Sequence, residues 1–134
     1  NQKDGWTFLP STMHSNRQVI ASTLFSLDAI TIMQDIEPPF IRKVYPENGG
    51  KFHYKDLKTI SIIADDYLSG LNSNEKSMEI KLDGLLVRYA FQPIKKELSY
   101  YLPTPLDAGE HTIEYKISDL AGNTVSGLST FLVD

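Results

Sequence analysis

The sequence contains no cysteine, which excludes disulfides, thiolate zinc sites and cysteine nucleophiles together. It also lacks any apolar run near the ~20 residues needed to span a bilayer as a helix, so membrane insertion is not expected. Basic excess is missing as well. Thirteen Lys and Arg face 17 Asp and Glu, and the positive charges are scattered rather than gathered into the stripe that phosphate neutralisation requires; no nucleic-acid partner is expected. There is no initiator Met and no signal peptide at Asn1–Trp6, so the chain reads as a piece of a longer protein.

Catalytic signatures are missing too. The histidines His14, His53 and His111 are far apart in sequence and form no H-x-x-x-H pattern. Gly49-Gly50 has neither the lysine nor the helix of a phosphate loop, and there is no G-x-S-x-G elbow. The chain is therefore expected not to be an enzyme.

What is present is period-2 alternation, the signature of half-buried strands. Thr59–Asp65 places Ile60, Ile62 and Ala64 on one face, and Met78–Leu82 places Met78, Ile80 and Leu82 on one face. Asp83-Gly84 then supplies the dipeptide suited to a type I′ hairpin turn, and 85–91 is read as one returning strand. Further strands are read at 40–45, 96–102, 111–117 and 124–133, with Gly127 taken as a bulge. In 111–117, Ile113, Tyr115 and Ile117 face the core. About seven short strands at close spacing point to an all-β, antiparallel β-sandwich.

Pro38-Pro39 removes two amide donors and forces extended backbone, which makes 34–39 a stiff hinge. The division expected is residues 1–35 as closing strands of a preceding β module or an N-terminal extension, and residues 36–134 as the sandwich. Three strands are read upstream, at 6–9, 17–23 and 27–33; too few to build a core of their own.

Carboxylates at loop ends are the candidate metal ligands, because calcium gathers oxygen donors from loops. They are Asp35 in the hinge, Asp65 and Asp66 at the end of a strand, and Asp119 at the start of Asp119–Asn123. Against that stands ordinary turn chemistry: Asp and Asn bond their own backbone, Gly122 allows positive φ and Asn123 tolerates the left-handed region. The cofactor expectation is accordingly none, or calcium at these four residues. Exposed aromatics would favour sugar stacking, and Trp6, Tyr54 and Tyr101 are the candidates; Tyr89, Phe91 and Tyr100 share the parity of apolar neighbours.

Several segments in order resemble one known group. Asp35–Ile41, Pro46–Gly49, Ile60–Asp66 with Ser69-Gly70, the hairpin Ile80–Gly84, Leu106–Ile113 and Ser118–Asn123 are similar to the repeats of bacterial Ig-like domains, over about Asp35 to Asp134. The resemblance implies an Ig-like sandwich in a large secreted or cell-surface bacterial protein. It implies a non-catalytic, structural spacer module that orients or stabilises neighbouring domains of the same chain, as a monomer. A carbohydrate-binding or adhesive module, meeting protein or glycan at a cell surface, is the alternative.

Overall fold

A computed structural model describes residues 34–134 throughout and, before them, only the backbone of four short strands. These are β1 (Gln2–Lys3), β2 (Trp6–Thr7), β3 (Thr12–His14) and β4 (Val19–Ala21). β1 pairs antiparallel with β2, and β3 with β4, as two separate two-stranded sheets. The expected strand at 27–33 lies outside the described residues.

Nine strands follow: β5 (Phe40–Tyr45), β6 (Lys51–Phe52), β7 (Thr59–Asp65), β8 (Met78–Leu82), β9 (Leu85–Leu86), β10 (Ala90–Gln92), β11 (Glu97–Tyr101), β12 (Gly109–Ser118) and β13 (Thr124–Val133). They form a four-stranded sheet in the order β10-β11-β7-β5 and a five-stranded sheet in the order β6-β13-β12-β8-β9. Every pairing is antiparallel except β13 with β6. The protein is an all-β sandwich, as expected from the alternation. Among the described residues no helix is long and apolar enough to cross a membrane.

The inward rows make the core. Ile60, Ile62 and Ala64 from β7 and Leu98 from β11 meet Met78 and Ile80 from β8, Ile113 and Ile117 from β12, and Phe131 and Val133 from β13, all 3% exposed or less. Each of these side chains except Ala64 contributes about 1.5–3 kcal/mol by leaving water. The β8–β9 turn is as expected: Asp83 and Gly84 have φ of 50° and 81°, both positive, as a type I′ turn requires.

Two strand expectations are corrected. Residues 85–91 do not form one strand: β9 completes the hairpin with β8, whereas β10 pairs with β11 in the opposite sheet. Between them Val87 and Tyr89 pack against the core, and the Tyr89 hydroxyl donates to the Met78 carbonyl at 2.9 Å. Nor is Gly127 a bulge, because β12 and β13 stay in unbroken register from Gly109↔Val133 to Ser118↔Thr124. Glycine is needed there because a Cβ would overlap the ring and hydroxyl of Tyr115 on the neighbouring strand.

Candidate metal centre

One end of the sandwich ends in carboxylates rather than hydrocarbon. On β7 the inward row Ile60, Ile62, Ala64 continues one step beyond the strand to Asp66, which is 3% exposed. On β12 the row Ile113, Tyr115, Ile117 continues to Asp119, which is 0% exposed. The side chains alternate with period 2, so both carboxylates point into the interlayer space. Asp35, from the segment entering β5, closes over them. One carboxylate oxygen from each of Asp35, Asp66 and Asp119 lies within 4.8 Å of the others.

Local hydrogen bonds fix all three. Asp66 Oδ2 accepts from the Gly70 amide at 2.7 Å, the Leu68 amide at 3.1 Å and Ser69 Oγ at 3.5 Å. Asp35 Oδ2 accepts from the Ser69 amide at 2.9 Å and its Oδ1 from the Glu37 amide at 3.2 Å. Asp119 Oδ1 accepts from the Asn123 amide, and Oδ2 from Asn123 Nδ2, both at 2.8 Å. The same Nδ2 donates to the Asp35 carbonyl at 3.1 Å, so the last turn and the entry segment are joined. Gly70 and Leu120 tie the two loops together through the Leu120 amide and the Gly70 carbonyl at 2.9 Å.

Among the described residues no lysine or arginine is ion-paired with any of the three. Burial is the largest influence on Asp66 and pushes its carboxyl up. The amides of Gly70 and Leu68 pull it down, Asp35 and Asp119 push it further up, and the net shift is upward. Three carboxylates held together without a cation form a site of negative potential in which a metal ion would replace missing positive charge.

Asp65, the fourth sequence candidate, is elsewhere. It points to the opposite face from Asp66 and binds Lys96 Nζ at 2.5 Å and Arg42 Nη2 at 2.9 Å. Burial opposes its ionisation, but Lys96 and Arg42 outweigh it and hold the carboxyl below its ordinary value. In the last turn Gly122 takes positive φ, at 92°, as expected, whereas Asn123 does not use the left-handed region and instead bridges Asp119 and Asp35. Of the aromatics, Tyr101 on β11 is 74% exposed and Tyr54, after β6, 38%, whereas Phe91, Tyr89 and Tyr100 pack against the core. The side chain of Trp6 lies outside the described residues. A shallow depression of about 480 Å³ on the outer face of the five-stranded sheet is lined by Glu79, Lys81, Glu114, Lys116 and Leu128 and includes none of these candidates.

No family model and no curated protein sequence matches the chain. Solved structures do. CopC from Methylosinus trichosporium OB3b superposes with a TM-score of 0.57 at 20% identity, over 72% of this chain and 93% of its own. PcoC from Escherichia coli, a methionine-rich copper resistance protein, gives 0.56 at 17% identity, over 72% of this chain and 98% of its own. Dimeric latent PorU from Porphyromonas gingivalis gives 0.58 at 17% identity, over 87% of this chain but 12% of its own. At these identities the likeness establishes the sandwich.

The comparison corrects two expectations. The match over nearly the whole of PcoC, a copper resistance protein, overturns the reading of the chain as a spacer module, and it lends no support to the carbohydrate-binding alternative. It also overturns the cofactor expectation of none or calcium, since copper is the metal attached to a neighbour of this fold.

Proposed function

We propose that this domain binds a divalent copper ion, with Asp35, Asp66 and Asp119 as its ligands. The observation that carries the reading is the convergence of three carboxylates, two of them buried, with no paired cation among the described residues. The copper resistance protein among its structural neighbours supports the choice of ion.

The donor set decides which form of copper fits. Copper(I) takes thiolate and thioether ligands. The chain has no cysteine, and Met78, the methionine whose side chain is described, is 2% exposed in the core. Copper(II) accepts oxygen beside nitrogen donors and, at a given site, binds most tightly among the divalent first-row ions, although carboxylate oxygens alone equally suit harder cations such as magnesium and manganese. Of the two copper ions, the three carboxylates fit copper(II) and not copper(I), and the choice of copper over a harder cation rests on the structural neighbour. Bound there, the ion supplies two positive charges that relieve the repulsion among the carboxylates. The residues' own part is to hold the oxygens in place: Gly70, Leu68 and Ser69 orient Asp66, Asn123 orients Asp119, and Ser69 with Glu37 orients Asp35.

In this reading the domain is a non-catalytic, Ig-like sandwich of a bacterial envelope or extracellular protein. The bacterial sources of its structural neighbours support that setting. The match to a small part of PorU supports its being one domain among others, whose partners are neighbouring domains of the same chain.

The test is equilibrium dialysis of the chain against copper(II), beside Asp66→Asn. Asparagine keeps an oxygen for the Gly70 and Leu68 amides while removing the charge. One ion per chain, weakened at least tenfold by the substitution, supports the reading. Equal binding by both proteins overturns it.

A further inference from the structure

β12 carries a second ionisable arrangement at its other end. His111 precedes Asp119 by eight residues, roughly 26 Å at ~3.3 Å per residue. The two places are separate.

His111 Nδ1 lies 2.7 Å from Asp83 Oδ2, and Nε2 lies 2.9 Å from the Asp107 carbonyl oxygen. An ionised carboxylate and a carbonyl accept hydrogen bonds and have no hydrogen to give. Neutral imidazole has one N–H and satisfies one of these partners; the imidazolium ion satisfies both. The site therefore selects the doubly protonated ring by geometry. In that doubly protonated form neither ring nitrogen is free to bind a metal.

The partners come from different elements. Asp83 is the first residue of the two-residue turn between β8 and β9, and Asp107 belongs to the connection from β11 to β12. Asp83 is held to β12 twice more: its Oδ1 accepts from the Thr112 amide and its amide donates to the Thr112 carbonyl, each at 2.9 Å. The groups facing the imidazole are the carboxylates of Asp83 and Asp107 and, from β13, the uncharged ring of Phe131 at 5.8 Å between centroids. The His111 side chain is 13% exposed. β9 is an edge strand with two ladder pairs, so the turn fastened by Asp83 anchors an otherwise lightly held edge.

We propose that His111 is a proton-operated clasp, closed when the ring carries both protons, that fastens the β8–β9 turn and the β11–β12 connection to the start of β12. Loss of one proton frees one of the two partners and loosens that end of the sandwich. Burial lowers the affinity of His111 for its second proton, but the Asp107 carbonyl and the Asp83 carboxylate outweigh it, and the net shift is upward from the ordinary 6.5. A folded-state pKa above the unfolded one gives stabilisation that is complete below about pH 6.5 and is lost as pH rises through the folded value.

The test is an imidazole-nitrogen NMR titration of the intact chain and of Asp83→Asn. Asn-Gly also supports a type I′ turn, so this variant keeps the hairpin. The expected result is two protonated ring nitrogens on His111 at pH 6, a pKa above 6.5, and a downward shift of that pKa in Asp83→Asn. Amide exchange at Leu82–Leu86 should also rise above its base-catalysed trend once pH passes the His111 pKa in the unmodified chain. A neutral tautomer at pH 6, or a pKa unmoved by Asp83→Asn, overturns the proposal.

Discussion

Asp66 and Asp119 occupy the position next after the last apolar residue of the inward row in one strand from each sheet, at the same end of the sandwich. Positions that the alternation reserves for hydrocarbon are filled by carboxylates. Three such groups, counting Asp35, are costly to bury together without a cation.

Asp66→Asn should therefore separate stability from binding. In the metal-free protein it removes a buried like charge and keeps the accepted hydrogen bonds, so the melting temperature should hold or rise. Copper(II) affinity should fall at least tenfold, about 1.4 kcal/mol. Thermal melts with and without the ion read both. For the unmodified chain, copper(II) at 100 times its dissociation constant should add about 2.7 kcal/mol, and removing the ion with a chelator should abolish that gain.

The core itself was legible. Ile62→Ala removes a side chain at 0% exposure between the two sheets and should cost about 2–5 kcal/mol in denaturant unfolding. A cost under 1 kcal/mol would mean that the inward row has been misassigned.

Gly127→Ala tests the close approach of β13 to Tyr115. The register there is regular, so strain comes from overlap of the new methyl with the ring, and a loss of about 1–3 kcal/mol is expected. Tyr115→Ala in the same background should recover part of it, measured as a double-mutant cycle.

Asp65 governs the acid side. Its carboxyl is held below its ordinary 3.8 chiefly by Lys96 and Arg42 against burial. A depressed pKa gives stability that is present above 3.8 and lost as pH falls through the folded value. Asp65→Asn should lower stability at pH 7 by on the order of 1 kcal/mol and flatten the loss below pH 4, as followed by urea midpoints.

Alternation was enough to find β7, β8, β12 and β13, because each buries one face and their periods are long enough to read. It could not divide 85–91. The apolar residues of that run serve two sheets in turn, and a strand that changes sheet keeps the same local pattern. β6 was invisible for another reason: two residues, Lys51 and Phe52, carry no period, and their pairing with β13 is non-local. Asp35, Asp66 and Asp119 were named from sequence, but as turn chemistry with calcium in the background. The sharper signal lay in phase: Asp66 follows Ile60, Ile62 and Ala64 at even spacing, and Asp119 follows Ile113, Tyr115 and Ile117. The same phase separates Asp65 from Asp66, which the sequence reading keeps together as candidate ligands, and the structure sends Asp65 to Arg42 and Lys96. His111, which belongs to no histidine pattern in the sequence, was missed because its carboxylate partner, Asp83, is distant in the chain and its other partner is the backbone carbonyl of Asp107.

The most direct measurement is the electron paramagnetic resonance spectrum of the chain with one equivalent of copper(II). The account predicts a bound ion with oxygen coordination, no nitrogen hyperfine splitting, and loss of the bound signal in Asp66→Asn. Nitrogen hyperfine structure from imidazole, or a bound spectrum unchanged in Asp66→Asn, would contradict it.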